Sequence, residues 1–381
     1  MIKVSLVVSR STPVRCSRTW RATVVYRVES LAQFSNGAPL VSGTAFAAAK
    51  PDNGPVAART RSRHRRVAGV WQDPPMTPGP ARRDARWPSA ADWLAAGTGG
   101  RTADLALLGV PTHATSLSPT GAHKTPAAVR QALQKLSTWS PARRIDLATL
   151  AALDLGNVDD PDLGEEGEWR VTIAAESGAS LARLLVVVGG DNSLTCPVGR
   201  GALDTLSRAG LVTLDAHLDI REGRSNGSPV RRLLDAGLPG ERIVQIGIAD
   251  WANSRSYADE AYARGLHAIF RDDVETRGMA PCMTDAIATA ADGGGGVLVD
   301  LDLDVCDRSV APGCPASLPG GLSAREILAA AFLAGADPRV RAVDITEVDA
   351  TADPDGRTVR LAALCVLEIA AGLTTRPIDS D

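Results

Sequence analysis

The chain has 381 residues, 44% hydrophobic and 22% charged, which suits a packed protein of one large α/β domain or two ordinary ones. No apolar run approaches the roughly 18–20 residues of a membrane-spanning helix, and six scattered cysteines without CxxC spacing argue against a disulfide scaffold or thiolate zinc site and for a reducing cytosol. The net charge of −3 is uneven: residues 1–85 hold 14 Lys+Arg against 4 Asp+Glu, so the remainder is strongly acidic.

Residues 1–85 mix Ser, Pro, Gly, Ala and Arg with no sustained apolar period. Such a segment buries too little apolar surface to offset chain entropy, so a disordered tail is expected there. The opening MIKVSLVVSR lacks a cleavage pattern and makes a poor secretory signal. Met76, ahead of Thr77-Pro78-Gly79-Pro80, is an alternative initiator. The basic run RTRSRHRR at 59–66 reads as a solvated tail rather than a nucleic-acid contact. Neither a nucleic-acid nor a membrane partner is expected, and residues 86–381 form the functional domain.

Within that domain, apolar strand-like runs alternate with amphipathic helical ones. Strands are predicted at 104–110, 151–155, 184–188, 211–217, 243–248, 266–270, 297–303 and 340–346. Helices are predicted among others at 125–136, 169–181, 230–236, 324–333 and 359–373. This alternation predicts an α/β fold with a mostly parallel eight-stranded sheet between helix layers, and a closed barrel is the second arrangement. In both, ligands bind at the carboxyl ends of the strands.

Three strand ends carry polar or acidic residues: Gly189-Gly190-Asp191-Asn192-Ser193, Asp215-Ala216-His217-Leu218-Asp219, and Asp300-Leu301-Asp302-Leu303-Asp304. Residues at i and i+2 of a strand share a face, so an extended chain would align Asp215, His217 and Asp219, and likewise Asp300, Asp302 and Asp304. Buried carboxylates are costly without a neutralising cation. Oxygen ligands and one imidazole suit a divalent metal, with Mn²⁺ the leading candidate. The four carboxylates of Asp215, Asp219, Asp302 and Asp304 balance two divalent ions.

These motifs, with Ala311-Pro312-Gly313 and Glu347-Val348-Asp349 after them, resemble the ureohydrolases, the family of arginase, agmatinase, guanidinobutyrase and formimidoylglutamase. The likeness spans roughly residues 100–375 and implies a three-layer α/β/α fold. It also implies two Mn²⁺ ions per subunit, bridged by Asp215 and Asp302, with Asn192 and Asp219 at the first metal and His217 and Asp304 at the second. By the same resemblance, water activated by the pair attacks a guanidinium or formimino carbon. Asp219 orients that nucleophile, and Glu347 pairs with the cationic nitrogen group of the substrate. A homo-oligomer is implied as well.

Two departures stand out. Asn192 occupies the place of the usual histidine ligand, and Asn226 that of a histidine able to carry protons. Asp300 and Arg308 likewise replace the usual Ser or Thr and the Pro near the second acidic motif. The stretches 225–232 and 311–316 are most similar to formimidoylglutamases, which cleave N-formimidoyl-L-glutamate to L-glutamate and formamide in histidine degradation. Arg221, Arg224, Arg231 and Arg232 follow the first acidic motif, and guanidinium forks suit carboxylates. Asn226, Arg231 and Glu347 are therefore the expected substrate-binding residues. The rival expectations are an agmatinase or guanidinobutyrase releasing urea, and a metal-poor relative without turnover. His113 and His123 are read as loop residues, Cys306 and Cys314 as structural, and His267 as core or surface.

Overall fold

The computed structural model describes residue 84 and residues 86–377. The tail expected at 1–85, with its basic run, lies outside the described residues except for residue 84. Eight strands form one sheet: β1 Ala103–Val110, β2 Ala152–Asn157, β3 Ala182–Gly189, β4 Gly210–Leu214, β5 Ile243–Ile248, β6 His267–Phe270, β7 Val297–Asp302 and β8 Val340–Thr346. Their order across the sheet is β2-β1-β3-β8-β7-β4-β5-β6, every pairing parallel. The sheet is open, with β2 and β6 at its edges, which eliminates the barrel.

Side-chain alternation divides the core between two faces. Leu184, Val186 and Val188 of β3 pack on one side, with the helices Met279–Ala290, Ala324–Ala336 and Arg357–Leu373. Leu185 and Val187 pack on the other, with Gly164–Leu181, Thr195–Ala202 and Pro229–Asp235. The result is a three-layer α/β/α sandwich. Among the described residues no helix is long and apolar enough to cross a membrane.

The predicted strands recur with small shifts at their ends, and two of those shifts matter. β4 stops at Leu214 and β7 at Asp302, so the first acidic motif is a turn that follows its strand, and the second ends its strand at Asp302 and turns through Leu303 and Asp304. Several helices had no sequence reading, including Ala90–Ala95, Thr195–Ala202 and Arg255–Ala263. They are short, six to nine residues long, so each offers too few turns for an apolar period to be read.

Candidate metal centre

The four central strands, β3, β8, β7 and β4, each deliver one segment of the site from their carboxyl ends. β3 runs into Gly190, where a Cβ would lie 1.9 Å from the Thr112 carbonyl oxygen. Only glycine lets the loop after β1 approach so closely, and it is fixed by Gly190 N–H donating to the Val110 carbonyl at 3.0 Å. Asp191 then caps the turn by accepting from Ser193 N–H and Oγ, which sets Asn192 in the buried floor.

After β4, Asp215 Oδ1 accepts from His217 N–H at 2.6 Å and turns the chain. Asn253, in the loop after β5, clamps this turn. Its amide donates to the Ala216 carbonyl at 3.0 Å, and its oxygen accepts from Leu218 N–H at 2.9 Å. Asp219 adopts φ +51° and Glu347, just past β8, φ +64°. Left-handed backbone is unfavourable for non-glycine residues, and here it falls on the two side chains expected to do chemistry. After β7, Asp302 Oδ1 accepts from Asp304 N–H at 2.9 Å. This tight turn brings Asp304 Oδ2 to 3.1 Å from His217 Nδ1.

The turns thus bring together what strand alternation alone would not. Asp215, His217 and Asp304 form one group, and Asp215, Asp219 and Asp302 a second; within each, candidate ligand atoms lie within 4.8 Å of one another. Asp215 belongs to both. Asp302, expected to bridge as well, belongs to one. Asp300 belongs to neither group: it lies beside Asp344 in the β7–β8 pairing, accepts from Thr346 Oγ1 at 3.3 Å, and its Oδ2 reaches the Asn192 amide nitrogen at 3.5 Å.

Burial and crowding disturb the titration of these groups. Burial, then the nearby Asp304 charge, pushes Asp215 up to about 6. Burial raises Asp219 and Asp302 well above the ordinary carboxyl range, aided by Asp215 and Asp304 respectively. Burial also opposes the charged form of His217, but hydrogen bonds to Asp215 and Asp304 outweigh it and push its pKa up to about 12. Burial, with Asp191 adding to it, takes Glu347 to about 8. Asp300 is raised well above its ordinary range by burial and by Asp344, and Asp344 to about 7 by burial. Meanwhile Asp215 Oδ2 is buried without a hydrogen-bond partner among the described residues. Converging carboxylates, one imidazole and an orphaned anionic oxygen fit a pair of hard divalent cations.

Asn192 is not placed as a ready ligand. Its Oδ1 accepts from Thr195 Oγ1 at 2.5 Å, while its Nδ2 donates to Asp219 at 2.9 Å and Asp302 at 3.1 Å. The amide nitrogen therefore faces the carboxylates, and ligation through oxygen requires the amide to rotate by half a turn. Asn226 lines the cavity, and its Nδ2 donates to Glu347 Oε1 at 2.9 Å. Glu347 Oε1 also accepts from Asn192 N–H at 2.7 Å.

Arg231 does not reach the cavity. Its guanidinium pairs with Glu260 at 2.6 Å and donates to the carbonyls of Ile220 and Arg221. Arg224 and Arg232 both pair with Glu168. Glutamates on neighbouring helices claim all three, and spacing along the chain does not reveal this. Arg221 instead lines the cavity, a space of about 250 Å³ over the carboxylates that Leu117, Ser118, Asn253, Tyr257 and Pro315 help to frame. Asn253 and Tyr257 escaped the sequence reading because neither lies in an acidic motif. The rings of His113 and His123 lie tilted against each other with centroids 4.3 Å apart, and neither lines the cavity. Cys306 and Cys314 are buried free thiols, and His267 is exposed at the start of β6.

A central carboxylate–imidazole cluster at the strand tips of an open α/β/α sheet fits a metal-dependent hydrolase. The chain belongs to the arginase family, whose sequence profile matches residues 103–372. It is 34% identical over 288 residues to the formimidoylglutamase of Halalkalibacterium halodurans, covering 74% of this chain and 90% of that one. The crystal structure of formimidoylglutamase from Bacillus subtilis superposes with a TM-score of 0.73 at 29% identity, covering 79% of this chain and 96% of the other. Trypanosoma cruzi formiminoglutamase with Mn²⁺ gives a TM-score of 0.69 at 26% identity, covering 76% and 100%. The chain is accordingly a ureohydrolase-family enzyme acting on linear amidines.

Proposed function

We propose that the enzyme hydrolyses N-formimidoyl-L-glutamate to L-glutamate and formamide with two manganese ions per subunit. The observation that carries this reading is the pair of buried ligand groups sharing Asp215, supported by the similarity to formimidoylglutamases. Asp215, Asp219 and Asp302 would hold one ion, joined by Asn192 once its amide has turned; Asp215, His217 and Asp304 would hold the other. Bound there, the two ions supply Lewis acidity and a water acidified towards neutral pH.

The remaining work falls to this chain's own side chains. Asp219 accepts the hydrogen bond that orients the attacking water, then takes its proton. Glu347 Oε2 pairs with the cationic formimino nitrogen, while Asn192 N–H and Asn226 Nδ2 hold Oε1. Because Asn226 cannot carry a proton, Asp219 returns the one it received to the leaving nitrogen of glutamate. The loop after β1, with Leu117 N–H donating to Asn226 Oδ1 at 2.9 Å, closes the cavity on that side. The five described cysteines are free buried thiols, which supports a cytosolic setting, and a homo-oligomer belongs to the same reading.

The test is a substrate panel with Mn²⁺-loaded protein, assaying formamide against urea. Formamide from formimidoylglutamate supports the reading, and urea from agmatine or 4-guanidinobutyrate overturns it. One observation favours a second reading, a metal-poor member without turnover: Asn192 Nδ2 already occupies the space between Asp219 and Asp302. That reading predicts under one equivalent of bound manganese and no product from any amidine.

A further inference from the structure

We infer that Arg221 is the residue that recognises the distal carboxylate of the substrate and selects dicarboxylate amidines; the inference rests on the formimidoylglutamate reading. Three observations lead there. Among the described residues lining the cavity, Arg221 is the sole lysine or arginine. Its guanidinium makes no ion pair or hydrogen bond with any described residue, whereas Arg224, Arg231 and Arg232 are each held by a glutamate. Its place on the wall is also built. Arg221 N–H donates to the Gly227 carbonyl at 2.9 Å, and a Cβ on Gly227 would lie 2.9 Å from Arg221 Cδ and 3.1 Å from Leu117 Cδ1. The glycine therefore leaves a channel in which the arginine stem lies flat.

Arg231 completes the mount. Its Nε donates to the carbonyls of Ile220 and Arg221, at 2.6 and 3.1 Å, while Glu260 holds its other end. Arg231 is thus a positioning residue for the Arg221 backbone rather than a substrate ligand.

The chemistry of the substrate assigns the carboxylate. The α-carboxyl carbon lies two bonds from the scissile nitrogen, so it stays near the acidic floor. The distal carboxyl carbon lies four bonds away and extends towards the rim, where Arg221 is exposed. A guanidinium fork there can take both oxygens of that group. A substrate ending in an amine, such as agmatine, would meet the same charge as its own.

The experiment compares Mn²⁺-loaded wild type, Arg221→Gln and Arg221→Lys on N-formimidoyl-L-glutamate and on N-formimidoyl-L-glutamine, which carries an uncharged amide at the distal end. Losing a charge-assisted contact predicts a fall in kcat/KM of about 10- to 100-fold for Arg221→Gln on the diacid, through KM. On the amide the fall stays under about threefold, and lysine restores part of the loss. Equal losses on both substrates would overturn the assignment. Calorimetric binding of L-glutamate and L-glutamine to the same proteins decides the matter without turnover. If the wild type hydrolyses neither substrate, the proposed activity fails, and the role of Arg221 is then judged by whether glutamate outbinds glutamine and loses that advantage in Arg221→Gln. No such preference overturns it.

Discussion

Glu347→Gln in the metal-free protein is expected to raise stability at alkaline pH and leave it unchanged in acid. Glu347 is 4% exposed, and burial, with Asp191 adding to it, moves its carboxyl from 4.5 to about 8. The folded chain therefore keeps a proton that the unfolded chain releases, so folding loses stability as pH rises from about 4.5 to about 8. A rise of about 3.5 units at 1.36 kcal/mol each corresponds to about 5 kcal/mol once both states are ionised. Glutamine carries no such burden and can still accept, through Oε1, from Asn192 N–H and Asn226 Nδ2. At pH 8.5 the variant should melt roughly 5–15 °C above wild type, and at pH 4.5 with it. Scanning calorimetry on chelator-treated protein at several pH values measures the difference. Melting curves that stay parallel across that range would refute the reasoning. The manganese-loaded variant should meanwhile lose at least about 100-fold in kcat/KM, because the pairing partner of the cationic nitrogen is gone.

Further outcomes follow from the same geometry. Wild-type metal-free protein should lose stability from pH 5 to 8, since Asp215, Asp344, Glu347 and His217 all have raised folded-state pKa values and every one of these shifts favours the protonated fold. Added Mn²⁺ should displace the protons of Asp215 and His217, so the stabilisation at a fixed Mn²⁺ concentration grows with pH, with about 2.7 kcal/mol per site at a hundredfold excess over Kd; a gain independent of pH would contradict it. Gly190→Ala places a Cβ 1.9 Å from the Thr112 carbonyl oxygen and should cost about 3 kcal/mol by chemical denaturation. A neutral result there would show that the loop after β1 is free to move. Arg231→Gln should raise KM for formimidoylglutamate more than it lowers kcat, through displacement of Arg221, and an unchanged KM would count against that coupling.

The sheet was legible because parallel strands buried on both faces read as continuous apolar runs, and all eight recur with small end shifts. The acidic motifs converge for a different reason than strand geometry. Asp215 and Asp302 each accept a hydrogen bond from a backbone N–H two residues on, so the chain turns and the carboxylates converge where an extended strand would have carried Asp300 along with them. Short polar turns of this kind leave no periodic trace. The arginines show the limit most clearly. Four occur within twelve residues, and only the positions of Glu168, Glu260 and Gly227 in space distinguish the free Arg221 from its committed neighbours. The orientation of Asn192 was likewise beyond reach, because it depends on a hydrogen bond from Thr195 Oγ1, which no motif or period in the sequence marks.

Manganese stoichiometry of the wild type against Asp215→Ala and Asp215→Asn tests the central claim most directly. Asp215 sits in both ligand groups. Metal analysis after equilibration and desalting should give two ions per wild-type chain and fewer than one in either variant, with folded protein verified by circular dichroism. Two ions retained without the Asp215 carboxylate, or none in the wild type, would contradict the account.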